Sequence, residues 1–444
     1  MLAIKLKAPV IPNLTVAYAL VYLFIALWIL PGYLTWDANL LVGIIVAPYI
    51  CTVDRSRLSL RYLAPAVIAM LLAFLVPVRT MIFIAMLFSA LLLVENCVGK
   101  LNQSFMLLLF LISPAFKYII SIIDFPMRLW LTTQIAALLS MMGVKAAAAG
   151  NQIQLAQCEF SVDPACAGLN MLIISLIMCL FILTHFQRQA GKQLRFVYLC
   201  ALFLLTIGLN VLSNFFRILI LVTFKIMPGT VFHDFVGIAC LLVYVVIPLV
   251  KGTGPIVKRF GKAKASIRAP QRRHVFFTVR YPILHGLFSI LLLFITLNLV
   301  SADKLMPNDH HIELHGFAKK EFDNGIMKFD SKEALIYLKP SAFYIPGHDP
   351  MICWTGSGYE FSSINKEKIG GVEVYTGLLR KGNDKIYAAW WFDNGETRTI
   401  DQLQWRWLAL KGNKSFYLVN VNAYSRQNLQ KQVKAMLANA RYIY

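Results

Sequence analysis

The chain has 444 residues, 58% of them hydrophobic, and a formal net charge of +21. Long apolar runs fill the first 300 residues, which excludes an ordinary soluble protein and points to a polytopic membrane protein followed by a soluble domain. Residues 1–301 carry 24 Lys/Arg against 7 Asp/Glu, and residues 302–444 carry 19 against 15. Such bias marks cytoplasmic loops rather than a nucleic-acid partner. The eight cysteines form neither a disulfide framework nor metal-ligand spacing.

In chain order, hydropathy predicts spans near 14–30, 38–51, 62–77, 80–96, 104–123, 168–185, 196–224, 235–250 and 282–300. Lys5 and Lys7 before the first run predict a retained signal-anchor with its N-terminus inside. Arg55, Arg57 and Arg61 mark one inside loop, and Arg188, Lys192 and Arg195 a later one. The stretch from Lys251 to Arg280 is the most basic, with nine Lys/Arg. This bookkeeping places residues 124–167, residues 225–234 and the C-terminal domain outside. Residues 129–143 are apolar but fall short of the roughly 20 residues a crossing needs, and are expected as a re-entrant or interfacial helix. The run 196–224 is too long for one straight crossing, so either a tilted helix or a break near Ser213 is expected.

The stretch Asp163-Pro164-Ala165-Cys166 reads as the start of a membrane helix. Asp163 suits the N-cap and Pro164 the first helical position. Cys166 then lies in the first turn, where orphan N–H groups and the positive end of the dipole favour the nucleophilic thiolate. The competing reading is a small buried cysteine opening an apolar helix. Arg217 sits within an apolar run. A cation there costs at least a few kcal/mol unless it faces the bundle interior with a partner or snorkels to the surface. His233-Asp234 follows at the mouth of the next span. Asp234 is expected as that helix's N-cap, and His233 is either a titratable group or a polar boundary residue.

A thiol, an inward arginine and a histidine are the parts a cysteine acyl-transfer enzyme needs. The segments Pro164-Ala165-Cys166-Ala167-Gly168-Leu169, Asn214-Phe215-Phe216-Arg217-Ile218 and Phe232-His233-Asp234-Phe235-Val236-Gly237 resemble those of the exosortases and archaeosortases, over roughly residues 60–250. These are polytopic cysteine enzymes thought to process C-terminal sorting signals on exported proteins, each signal a short motif, a transmembrane helix and a basic tail. The resemblance implies Cys166 as nucleophile, Arg217 as thiolate or oxyanion stabiliser and His233 as general acid/base, with Asn214 and Asp163 in support. It implies no metal or organic cofactor, a bacterial inner-membrane location, and an exopolysaccharide or glycolipid acceptor as one possibility. A non-enzymatic transporter or export component, with Arg217 binding an anionic group, is the rival, although no internal repeat is present. A metal-dependent membrane protease lacks its HExxH.

Residues 302–444 read as an α+β extracytoplasmic domain. Strands are expected near Glu333–Leu338, Gly371–Leu379, Ile386–Phe392 and Ser415–Val421, and a surface helix near Arg426–Ala440. Trp390 and Trp391 are expected in its core. His348-Asp349-Pro350-Met351-Ile352-Cys353-Trp354 with Gly356–Gly358-Tyr359 resembles a small exopolysaccharide-associated domain fused to some exosortases, an arrangement similar to the exosortase N type. His348 and Cys353 are fold residues, a second thiol site, or a redox pair with Cys158. Gly356-Ser357-Gly358 lacks the strand-turn-helix context of a hydrolase elbow. His310, His311 and His315 read as a solvated juxtamembrane segment.

Overall fold

A computed structural model describes residues 12–28, 36–54, 59–76, 78–156, 159–162, 169–226, 230–263, 279, 281–302, 312–322, 325–341, 358–411 and 415–438. The chain divides into two compact units. The first joins Met1–Ile119, Gly168–Asn214 and Phe235–Leu305, and the second joins Ile120–Ala167, Phe215–Asp234 and Met306–Tyr444.

The first unit is helical. Helices α1 (Pro12–Trp28), α3 (Leu63–Leu75), α4 (Arg79–Cys97) and α11 (Pro282–Ala302) share a core that includes Ile25, Ala66, Ile82, Leu92, Leu292 and Ile295. Polar clips hold it. Tyr18 donates to the Pro282 carbonyl at 2.8 Å, and the Asn96 amide lies 3.0 Å from the His285 ring Nε2. Helices α2 (Ala38–Ile50), α5 (Gln103–Leu111) and α7 (Leu169–Ala190) pack together, and α10 (Ile247–Phe260) lies against α7. Two short ladders tie loops at one end of this unit. Strand β1 (Val53–Asp54) pairs with β2 (Lys100–Leu101), and β6 (Lys192–Gln193) pairs with β7 (Lys262–Ala263).

Among the described residues five helices are long and apolar enough to cross a membrane: Arg79–Cys97, Pro114–Met141, Met171–Ala190, Phe196–Thr223 and Val231–Phe260. Four shorter apolar helices cover Leu14–Leu27, Ala38–Ile50, Leu63–Leu75 and Pro282–Asn298. The nine crossings expected from hydropathy are therefore not all matched by helices of crossing length. Helix α8 (Phe196–Thr223) is unbroken at Ser213, so the expected alternative of a break there is excluded. Helix α9 (Val231–Leu241) continues through a π-helical turn, Leu242–Val246, into α10, ten residues past the expected span end.

The separate re-entrant or interfacial helix expected at 129–143 is corrected. Residues 129–141 continue α6 (Pro114–Met141), and Pro126 does not interrupt it. At 1.5 Å per residue such a helix is about 42 Å long, longer than the ~30 Å hydrocarbon core, so it can cross and emerge. Its second half belongs to the second unit, where Phe125 and Leu129 pack on the core of the β-sheet.

That unit is mostly β-sheet. Its main sheet is antiparallel, in the order β11 (Glu360–Ile369), β12 (Val372–Lys381), β13 (Asp384–Asp393), β15 (Phe416–Ala423), β10 (Leu335–Ser341), β9 (Met327–Asp330) and β8 (Ala318–Glu321), with β14 (Arg398–Thr399) on β13. All eight residues of β15 are buried, as a central strand covered on both faces requires. Helices α12 (Gln402–Leu410) and α13 (Arg426–Ala438) supply Trp405, Leu429 and Val433 to a core that includes Trp390 and Trp391. His315 is exposed, as expected, whereas His310, His311, Cys158, His348 and Cys353 lie outside the described residues.

A second sheet precedes Cys166 in sequence: β3 (Ala146–Ala149), β4 (Gln152–Leu155) and β5 (Glu159–Ser161). Its first turn, Gly150-Asn151, docks on β11. Gly150 adopts a φ of +63°, and a β-carbon there would overlap the Ile364 carbonyl oxygen, so glycine is required. The Asn151 N–H donates to the Ile364 carbonyl at 3.2 Å, and the Ile364 N–H donates back to Asn151 Oδ1 at 3.0 Å. Asn151→Ala leaves the buried Ile364 amide unsatisfied, a cost of about 1–3 kcal/mol. Hydrogen exchange at Ile364 is therefore expected to accelerate roughly fivefold to a hundredfold, and an unchanged rate would remove this docking from the account.

Tyr417 gives a pH test. Burial pushes its phenol up to about 12, and the Glu321 carboxylate adds to the shift. A raised pKa means the folded state holds the proton longer, so its stabilising contribution is full below pH 10 and is lost as pH rises through about 12. Melting curves at pH 9 and pH 11.5 are expected to separate more in wild type than in Tyr417→Phe.

Candidate active site

The three segments singled out by sequence differ in what the structure describes. Asp163 and Cys166 lie outside the described residues. Asn214, Arg217 and His233 are described, and all three are buried.

Arg217 sits on the inner stripe of α8. Leu202, Thr206, Asn210, Ser213, Asn214, Arg217, Ile218 and Leu221 are buried at helical spacing, while Leu204, Leu205 and Leu212 are exposed. The guanidinium residue is only 5% exposed, so it faces inward and does not snorkel. Asn214 is one turn earlier on the same face. Asn210, a further turn back, donates to the Ser175 hydroxyl on α7 at 2.9 Å, and Ser175 donates to the Met171 carbonyl at 2.6 Å. The polar residues that could have broken α8 are thus its interior stripe.

His233 lies in the first turn of α9 and is 3% exposed. Gly237 and Cys240 continue its buried face, whereas Val231, Phe232, Phe235 and Ile238 are exposed apolar residues, as on a lipid-facing side. Asp234 is not the N-cap. That place belongs to Thr230, whose hydroxyl accepts the His233 N–H at 3.3 Å and whose carbonyl accepts it at 3.0 Å. Asp234 instead offers Oδ1 at 3.3 Å from His233 Nδ1. A carboxylate only accepts, so His233 Nδ1–H is the donor in this contact. The Asp234 side chain is 78% exposed, so the pair is wet on one side.

Arg217 and His233 belong to the second compact unit, together with residues 306–444. Asn214 falls at the edge of the first. Sequence reasoning missed Asn151, Ser175 and the contact of Asp234 with the His233 ring. The Gly150-Asn151 pair is a turn signal, but the preceding alanine run masks the strand that follows from it.

No curated protein and no solved structure matches the chain. The transmembrane exosortase family (Exosortase_EpsH) matches residues 10–250, a little over half of the chain and all three segments quoted above. The match begins some fifty residues before the stretch that carried the resemblance, and it ends before the C-terminal sheet domain. A multi-pass helical chain with an inward arginine on α8 and a buried histidine on α9, matched across these segments, belongs to the transmembrane exosortase family.

Proposed function

We propose that this protein is a membrane-embedded cysteine protease or transpeptidase that cleaves C-terminal sorting signals of exported proteins at the outer face of the bacterial inner membrane. Family membership supports the class of activity, and the observation that carries the residue assignment is the burial of both Arg217 and His233 on helix faces turned from lipid. In this reading residues 1–301 form the enzyme core and residues 302–444 an extracytoplasmic domain. The basic loops lie in the cytoplasm by the charge rule.

The chemistry follows from the groups. His233 Nε2 takes the proton of the Cys166 thiol, and the thiolate sulfur attacks the scissile carbonyl carbon. The carbonyl electrons move onto oxygen, and the Arg217 guanidinium stabilises that oxyanion in a water-poor site. Collapse of the intermediate breaks the C–N bond, and the imidazolium returns its proton to the leaving amine, which departs with the helix and basic tail. The acyl group remains as a thioester on Cys166. An amine acceptor, or water, then attacks the thioester and releases the thiol. A glycolipid or exopolysaccharide bearing an amine fits the acceptor role. Cys166 and its Asp163 cap stand on sequence and family resemblance, and Asn214 supports Arg217 from the adjacent turn.

An exported reporter with a C-terminal motif, apolar helix and basic tail tests this in cells, with loss of the tail read as a mass shift. Cys166→Ser is expected to abolish processing at normal expression. His233→Ala is expected to slow it about 10²–10⁴-fold. Arg217→Gln is expected to slow it about 10²–10³-fold. Full processing by Cys166→Ser would sink the enzyme reading and favour a transporter in which Arg217 binds an anion. The exposed Asp234 pair is worth no more than ~1 kcal/mol, so Asp234→Asn is expected to cost about fivefold at most. A larger loss would make Asp234 more than an orienting group.

A further inference from the structure

The first compact unit holds a second polar centre that the proposed chemistry does not use. A cavity of about 610 Å³ opens at the end of the unit where β1–β2 and β6–β7 tie the loops together. Six cations line it: Arg61, Lys100, Arg188, Lys192, Arg195 and Lys262. Asp54 is the one acidic residue among its lining groups. Like charges gathered around a concavity repel one another, and they focus a positive potential into it.

Several of these groups are held in place. Glu95 is fully buried, and its Oε1 takes Arg61 Nη2 at 2.6 Å and the Leu101 N–H at 2.8 Å. Arg61 also donates to the Leu101 carbonyl at 2.6 Å, which fixes the guanidinium at the wall. Arg188 donates to the Tyr49 carbonyl at 2.7 Å and lies 4.5 Å from the centre of that ring. Lys192 donates to the Lys258 carbonyl at 2.5 Å. By contrast Lys100, Arg195 and Lys262 make no ion pair among the described residues.

Two buried polar atoms in the lining have no hydrogen-bond partner among the described residues: Arg61 Nε and the hydroxyl of Thr184. Thr184 is 3% exposed, so this hydroxyl is not satisfied by open solvent at the surface. A buried polar group left unpaired is costly, so this wall of the cavity is polar rather than apolar packing. Guanidinium forks and ammonium groups together match the tetrahedral oxygens of a phosphate. Basic pockets between membrane helices on the cytoplasmic side suit anionic headgroups.

We propose that this cavity is a binding site for a phosphate-bearing group, supplied by an anionic phospholipid headgroup or by a soluble phosphoryl compound. The proposal rests on the cavity alone and is independent of the activity assigned to Cys166.

The test uses the purified full-length protein in phosphatidylcholine nanodiscs, with and without phosphatidylglycerol, and compares wild type with Arg195→Gln/Lys262→Gln. For a lipid source, native mass spectra of wild type retain phosphatidylglycerol and its unfolding midpoint rises with that lipid. The double variant then binds it at least about tenfold more weakly. For a soluble source, inorganic pyrophosphate binds saturably in phosphatidylcholine discs alone, more weakly at high salt and in the variant. Equal behaviour of wild type and variant towards both probes overturns the site. Matching midpoints in phosphatidylcholine alone establish that the variant is folded. If it is not, Thr184→Val, which keeps the side-chain volume, carries the same comparison.

Discussion

A helix that carries Asn210, Ser213, Asn214 and Arg217 within two turns cannot present them to hydrocarbon, because each polar group left unpaired there costs several kcal/mol. The rotation of α8 follows from that constraint. With its polar stripe turned inward, Leu204, Leu205 and Leu212 fall on the outside, and Asn210 meets Ser175 on α7. The same clip fixes the two helices side by side just after the segment that holds Cys166. Arg217, one to two turns further along α8, is then buried by the same rotation. The arrangement that satisfies the bundle is therefore also the one that delivers a cation to the interior.

The second unit applies a different physics. Its sheet is held by aromatic packing: Phe125 of α6 meets Tyr375 at 5.1 Å, and Tyr375 and Phe361 both meet Trp390 at about 5.5 Å. Asn151 then ties the small sheet that precedes Cys166 to β11 through two backbone-directed hydrogen bonds. The small sheet is thus anchored to β11. On the proposed reading this gives the domain a mechanical role, since a nucleophile must be held within a few tenths of an ångström of its productive place.

What the sequence made legible divides along the same line. Apolar runs and basic loops announce a membrane bundle because hydropathy is a local property, and Arg217 announces itself by being costly where it stands. Length was misread where helices outrun the bilayer. Residues 104–123 and 129–143 look like a span and a fragment, yet α5 and the 28-residue α6 divide them differently. Asp234 suits a cap by residue type, yet Thr230 holds that place because three residues separate it from the His233 N–H. In the sheet domain, β10, β12, β13 and β15 show through their apolar content. Strand β11, with Ser363, Asn365, Lys366, Glu367 and Lys368, does not, because its identity comes from pairing with β12.

Helix α8 also connects two chemistries of opposite demand. At its N-terminal end the cavity gathers six cations, and about 30 Å along the same helix, by the ordinary rise, Arg217 is buried. A sorting signal, on the proposed function, brings an apolar helix with a basic tail. That tail would be repelled by a bare cavity of like sign, which rules the cavity out as its docking place. An anionic headgroup seated there would offset part of that charge and weaken the repulsion. The two proposals thus meet at one point: occupancy of the basic cavity would set how strongly it repels a basic tail.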